Sequence, residues 1–403
     1  MCEAEQETSA LGSALGEESR DAPIEIAEDW NQLNLRSDIL RGVYAVGFEQ
    51  PSPIQARAIA PVIAGKDVIG QAQSGTGKTG CFSIAALQRT DTSLRGTQVL
   101  ILSPTRELSQ QTKKVIDSIG VNVKGLRTQL LVGGTSTEAD ASALSSPPHV
   151  AVGCPGRVHD MMRRRRLRAD SLRLVILDEA DEMLSQGFKE QVYDIFQFLP
   201  ADIQVALFSA TLPPTVHALA QKFMRDPLEI LVKAEMLTLE GILQYYVALD
   251  DDDQKYATLK DLFSVLSLSQ CIVYCNSVRR VQDLYEAMRA DDFPVCQMHS
   301  GMEREDRQKS FAAFSSGTTR VLISSNVTAR GIDVQQVSTV INFDIPRDVD
   351  TYLHRIGRSG RWGRKGMGIN FVTRRDGRRI REIEQHYRTT IAELPADIGA
   401  IHV

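Results

Sequence analysis

Apolar and polar positions along the chain follow two rhythms in turn. Short β-branched runs such as Asp67-Val-Ile69, Gln98-Val-Leu-Ile-Leu102, Leu174-Val-Ile-Leu177 and Val205-Ala-Leu-Phe208 each give way to small polar or charged residues and then to a longer amphipathic stretch. Continuous apolar runs of strand length, separated by helical periodicity, predict buried parallel strands with crossover helices. The pattern then starts again with Cys271-Ile-Val-Tyr274, Val295-Cys-Gln-Met298, Arg320-Val-Leu-Ile323, Thr339-Val-Ile-Asn342 and Gly368-Ile-Asn-Phe-Val372. Between the two series lies Asp226-Pro-Leu-Glu-Ile-Leu-Val232 and then a polar connector.

The expected architecture is therefore α/β, with two tandem domains, each a mostly parallel sheet flanked by helices. The expected boundaries are a mobile acidic tail over 1–25, a first domain over 26–232, a linker over 233–242 and a second domain over 243–403. In sheets of this kind ligands sit beyond the C-terminal strand ends. The polar motifs described below follow those ends.

Composition changes the picture only by exclusion. With 42% hydrophobic and 24% charged residues in 403, the chain is neither disordered throughout nor fibrous. No apolar run approaches membrane-spanning length, and Met1 opens a polar, acidic segment without a signal-peptide pattern, so an intracellular protein, cytoplasmic or nuclear, is expected. The six cysteines include no C-x-x-C pair, which argues against zinc and for reduced thiols packed in cores. A net charge of −5 argues against bulk nucleic-acid binding, yet Arg355 to Arg381 is dense in arginine.

The chemistry begins after the first strand, at Ala72-Gln-Ser-Gly-Thr-Gly-Lys78-Thr79. This is a phosphate loop with Ala in place of the first Gly. Ser74, Gly75, Thr76 and Gly77 supply backbone N–H groups, Lys78 reaches the β and γ phosphates, and Thr79 can ligand Mg²⁺. A later strand ends in Asp178-Glu179-Ala180-Asp181. There Asp178 can hold the metal and Glu179 can orient and deprotonate water. Taken singly, the first motif could be a Gly-rich turn and the second a solvated helix start. A nucleoside triphosphate and Mg²⁺ are the ligands the pair implies, although a GTPase or a sulfate-binding fold would also carry such a loop.

The base-reading N-K-x-D of GTPases is absent. The chain instead carries, in order, Gly47-Phe-Glu-Gln-Pro-Ser-Pro-Ile-Gln55, Pro104-Thr-Arg-Glu-Leu108, Ser209-Ala-Thr211, Ala329-Arg-Gly-Ile-Asp333 and His354-Arg-Ile-Gly-Arg-Ser-Gly-Arg361. This set resembles the DEAD-box RNA helicases from about residue 28 to the C-terminus, which implies that the two α/β domains are tandem RecA-like domains. Within them the likeness is to the translation initiation factor 4A group, carried also by runs such as Leu40-Arg-Gly-Val-Tyr-Ala-Val-Gly-Phe48 and Lys222-Phe-Met-Arg-Asp-Pro227.

The resemblance implies roles residue by residue. Gln55 matches the adenine-reading position, and Trp30 stands where the family stacks an aromatic on adenine. Ser209 and Thr211 match a coupling motif bonded to Asp181, with His354 bridging from the second domain. Asp333 matches a ribose contact, and Arg358 and Arg361 match arginine fingers on the transferring phosphoryl group. Thr105, Arg106, Gly133, Gly134, Arg157, Arg307 and Ser325 match contacts to RNA, made to its backbone and therefore with little sequence preference.

Four departures from the family pattern stand out: Cys154 for Thr, Arg304 for Gln, Asn326 for Asp and Tyr274 for Phe. None falls on the metal, base or finger positions. The implied activity is ATP-dependent RNA unwinding or remodelling by a monomer, with a helical-repeat scaffold of the initiation factor 4G type as protein partner. An ATP-locked RNA clamp is the competing reading. Arg163 to Arg168 and Arg374 to Arg381 read first as exposed helix surface.

Overall fold

The computed structural model describes residues 26–73, 75–185, 187–231, 242–265, 270–326, 337–359 and 366–395. The tail, Ser74, most of the connector, Asp333 with the segment before it, and Arg361 lie outside the described residues.

The first lobe contains β1 (Val68–Gln71), β2 (Val99–Leu102), β3 (Thr128–Leu131), β4 (Val150–Gly153), β5 (Leu174–Asp178), β6 (Gln204–Ser209) and β7 (Leu228–Leu231). The second contains β8 (Ile242–Leu249), β9 (Cys271–Tyr274), β10 (Val295–Met298), β11 (Val321–Ser324), β12 (Thr339–Asn342), β13 (Gly366–Thr373) and β14 (Ala392–Glu393). The first sheet is ordered β3-β4-β2-β5-β6-β1-β7 and the second β10-β11-β9-β12-β13-β8-β14. Adding seven to every strand of the first order reproduces the second, so one topology is used twice. Every strand pair is parallel.

A parallel sheet covered by helices on both faces needs apolar side chains on both faces. Val68, Ile101, Val152, Ile176 and Phe208 pack into one core of the first lobe. Their neighbours Ile69, Leu102, Ala151, Leu177 and Leu207 pack into the other. The second lobe divides in the same way, with Ile272 and Tyr274 on one side and Cys271, Val273 and Cys275 on the other. The cysteines at 81, 154, 271, 275 and 296 are free thiols, and all but Cys154 are buried.

Two segments fall differently from the sequence pattern. Leu228–Leu231, which the pattern leaves beside the connector, is the edge strand paired to β1. Ile242, assigned to the linker, opens β8, which aligns along its whole length with β13.

Candidate functional site

In the first sheet β5, β6 and β1 are neighbours, and their C-terminal ends carry the chemistry. Gln71 lies opposite Ser209, and Asp178 lies opposite Phe208. The loop after β1, the acidic run after β5 and Ser209-Ala-Thr211 after β6 thus meet at one level.

The phosphate loop closes onto helix Lys78–Gln88, whose N-cap is Gly77 at φ 98°. A side chain is excluded at Gly77, because a Cβ would stand 2.7 Å from Ser52 Oγ and 2.8 Å from Gln55 Nε2. Gln55 is buried, and its amide is used twice: Ser52 N donates to Oε1 at 2.8 Å and Nε2 donates to Gly77 O at 3.1 Å. In this structure Gln55 therefore braces the loop. Lys78 Nζ donates to Ala72 O at 2.8 Å and lies 3.7 Å from Glu179 Oε1. An ammonium held back on the loop's own carbonyl is available to an incoming phosphate.

Glu179 is buried and has a left-handed φ of 52°. A non-glycine residue held there marks local strain, which tends to gather at functional sites. Asp178 Oδ2 and Glu179 Oε2 are buried without a hydrogen-bond partner. Burial, reinforced by the Glu179 charge, pushes the Asp178 carboxyl up to about 8, while Lys78 works against the rise. Orphaned buried carboxylate oxygens suit a divalent cation.

Asp181 joins this pocket to the rest of the molecule. Thr211 Oγ1 donates to Asp181 Oδ2 at 2.6 Å, and Asp181 N donates to Ser209 Oγ at 3.3 Å. From the second lobe His354 Nε2 comes within 3.2 Å of Asp181 Oδ2. Glu179, Asp181 and His354 offer ligand-type atoms within 4.8 Å of one another, so Glu179 and the bridge between lobes adjoin. His354 lies on helix Val349–Ile356, just ahead of Arg358. Arg358 is buried and donates from Nε to His354 O at 3.1 Å.

Trp30 departs from its expected place. Its ring is fully closed to solvent, stacks on Phe48 and donates from Nε1 to Phe48 O at 3.0 Å. The indole packs into the core beside Ile39 and Phe82, and no face of it is open to adenine.

A cleft of about 730 Å³ separates the lobes, and its walls include Thr105, Arg106, Gly133, Arg157, Arg307 and Ser325. Six of the seven residues expected to face RNA are thus brought together, and Gly134 is not on the wall. Arg106 has no acceptor among the described residues, and Arg307 Nε is buried without a partner. Arg307 Nη2 pairs with Glu107 Oε2 at 2.9 Å across the cleft. Arg157 is bound inside its own lobe, to Asp140, to Thr135 Oγ1 at 2.8 Å and to Thr135 O at 2.9 Å.

Sequence reasoning missed Glu107, Asn276 and Ser277 on these walls. Asn276 and Ser277 follow strand β9, so the rule that ligands gather at strand C-termini could have found them. Glu107 carried no such signal, since its role depends on a side chain from the other lobe. The basic run Arg163 to Arg168 stays on the surface, with Arg163 and Arg164 paired to Asp160.

A nucleotide-type pocket on one lobe, wired by Asp181 to a second lobe of identical topology across a basic cleft, is the plan of a two-lobed phosphate-loop motor. Comparison with known proteins narrows the class. The DEAD/DEAH box helicase family matches residues 52–219, and the helicase conserved C-terminal domain matches residues 254–363. The chain is 54% identical to the ATP-dependent RNA helicase eIF4A of Coccidioides immitis over 375 residues, covering 93% of this chain and 94% of that protein. The chain belongs to the DEAD-box family of ATP-dependent RNA helicases.

Among solved structures, S. cerevisiae Dbp5 bound to RNA and ADP BeF3 superposes with a TM-score of 0.85 at 32% identity, over 92% of this chain and 96% of that one. A variant of the same yeast protein bound to Nup159, Gle1, IP6 and ADP gives 0.65 at 31% identity, over 90% of this chain and 96% of that one.

Proposed function

We propose that the protein is an RNA-stimulated ATPase that grips a single strand through its backbone and separates short duplexes or remodels RNA–protein complexes locally. The observation that carries this is the double contact of Asp181, to Thr211 at 2.6 Å within its lobe and to His354 at 3.2 Å from the other. It links the nucleotide pocket to the closure that forms the RNA cleft.

The working units are 26–232 and 242–403, joined by 233–241. Lys78 and the loop over 74–77 bind the β and γ phosphates, and Gln55 keeps the loop open by holding Gly77. Glu179 takes a proton from the water that attacks the γ phosphorus, while the bond to the ADP oxygen breaks and inorganic phosphate forms. Arg358 and Arg361 offset the charge that spreads over the γ oxygens, and Asp333 holds the ribose. Thr79 and Asp178 would hold Mg²⁺, whose charge neutralises phosphate oxygens. Thr105, Arg106, Arg307 and Ser325 contact RNA phosphates and 2′-hydroxyls, joined by Arg157 once it leaves Asp140, with Gly133 and Gly134 letting the backbone come close.

On the likeness to the initiation factor 4A relatives, we further propose that the chain acts as an intracellular monomer recruited by a helical-repeat scaffold of the 4G type. The relatives' names, helicases rather than static clamps, favour the motor. The test is steady-state ATP hydrolysis with and without single-stranded RNA at two salt concentrations. Strong stimulation that weakens with salt is expected; hydrolysis indifferent to RNA would overturn the reading.

A further inference from the structure

Charge in the second lobe is concentrated where the sequence pattern points only to an exposed helix face. Between Arg374 and Arg381 there are five arginines and one aspartate, in a chain whose net charge is −5. Arg375, Arg378 and Arg379, at the start of helix Gly377–Tyr387, face Arg347 from the loop after β12 across a cavity of about 520 Å³.

The four guanidiniums are not equally engaged. Glu382 Oε1 accepts from Arg378 Nε at 3.0 Å, and Glu382 Oε2 accepts from Arg379 Nη1 at 2.8 Å. Asp376, the other carboxylate in the wall, is turned to Thr373, accepting from its backbone N at 3.0 Å and its hydroxyl at 2.6 Å. Arg347 and Arg375 are exposed and have no acceptor among the described residues. Guanidinium forks held around one cavity suit phosphate oxygens, which they can engage in pairs.

The cavity adjoins the cleft between the lobes, with Asn276 lining both. Asn276 is a fixed sill. Its backbone N donates to Asp344 Oδ2 at 3.0 Å, Nδ2 donates to Ile345 O at 2.7 Å, and Oδ1 accepts from Arg355 Nη2 at 2.8 Å. A strand leaving the cleft over Asn276 would meet Arg347 and Arg375 next.

We propose that this cavity is an outer binding site for the RNA sugar–phosphate backbone, extending the strand beyond the cleft on the second lobe. The inference rests on the RNA cleft proposed above. It adds a contact that lengthens the bound strand without reading its sequence.

The test uses the full chain and oligouridylates, one short enough to fill only the cleft and one about twice as long, each with a non-hydrolysable ATP analogue. The wild-type protein should bind the longer strand more tightly and with a steeper salt dependence. The double variant Arg347→Glu/Arg375→Glu should lose that increment. Removing two phosphate contacts lowers the single-strand salt slope by about 1.4, equivalent to about sevenfold in affinity between roughly 50 and 200 mM salt. Its affinity for the short strand, and the stimulation of hydrolysis by that strand, should not change. Arg347→Gln/Arg375→Gln should show the same loss in smaller degree, and it carries the test if the glutamates disturb folding.

No length increment in the wild type, or one the variants keep, would overturn the proposal. Inorganic phosphate binding that the variants abolish while the increment survives would assign the cavity to a free anion. An acidic peptide that binds there with the increment intact would assign it to a protein partner. Failure of the short strand to stimulate the wild type would count against the RNA cleft itself.

Discussion

His354 Nε2 stands 3.2 Å from Asp181 Oδ2, a close approach between the two lobes made by side chains almost closed to solvent. Since Thr211 donates to the same carboxylate oxygen, Asp181 registers both the end of β6 and the position of the second lobe. His354→Ala should leave ATP binding intact and lower RNA-stimulated hydrolysis by about tenfold or more, a loss in turnover without a loss in substrate binding. Stimulation equal to wild type would show that the contact only packs the lobes together.

Glu179→Gln keeps the shape of a side chain whose Oε2 is buried without a partner, and removes its capacity to take a proton. Turnover should fall by about 10²–10⁴-fold, the usual contribution of a general base. Binding of ATP and RNA should persist. Single-turnover hydrolysis within tenfold of wild type would remove Glu179 from the role of base.

Arg307 is held by Glu107 at 2.9 Å, a pair that RNA must break or share. Glu107→Gln releases the guanidinium and removes a carboxylate from the cleft wall. The affinity for single-stranded RNA should rise by about fivefold, equivalent to an ion pair worth about 1 kcal/mol. A titration showing weaker binding would mean that the pair positions Arg307 for RNA and does not compete with it.

Arg355 is a buried cation surrounded by neutral acceptors. It donates to Asn326 Oδ1 at 3.0 Å, Asn342 Oδ1 at 3.1 Å, Asn276 Oδ1 at 2.8 Å and Asp344 O at 2.8 Å, and lies over the Tyr274 ring. Burial pulls its guanidinium down to about 10. Asn326→Asp places a carboxylate on the same two donors at nearly the same volume. A gain of about 1–2 kcal/mol is expected, raising the thermal midpoint by roughly 2–6 °C. A lowered midpoint would mean that the three asparagines already satisfy the charge.

Burial pushes the Cys154 thiol up to about 11, with Ser109 Oγ 3.6 Å away. Only the thiolate reacts, so alkylation at pH 8 should be about a hundredfold slower than for an ordinary exposed thiol, and it should quicken about tenfold per pH unit until the pH nears 11. Mass-spectrometric labelling rates across that range give the answer; a rate already flat at pH 8 would contradict the shift. A neutral thiol adds no charge to a wall that faces phosphate.

Much of this was legible in the residues alone. The strand runs at Cys271–Tyr274 and Thr339–Asn342 coincide with β9 and β12, because fully buried parallel strands at the centre of a sheet stand out from their surroundings. Strand β3 did not stand out. Thr128–Leu131 lies at the sheet edge and is only partly buried, so its sequence needs no continuous apolar run. Strand β8, beside the short edge strand β14, has mixed burial for the same reason.

The sequence by itself determined which local elements form, the phosphate loop, the acidic strand end and the family to which their order belongs. Those properties depend on residues close together in the chain, where periodicity, glycine placement and helix starts act directly. Only the tertiary structure decided that Trp30 is sealed beneath Phe48, that Gln55 braces Gly77, that Asp140 holds Arg157 and that Glu107 meets Arg307. Only the fold set Asn276 between two basic cavities. Each of these pairings joins separate elements, and that of Glu107 with Arg307 joins separate lobes. Their partners are chosen by strand order and lobe placement, which no local pattern records.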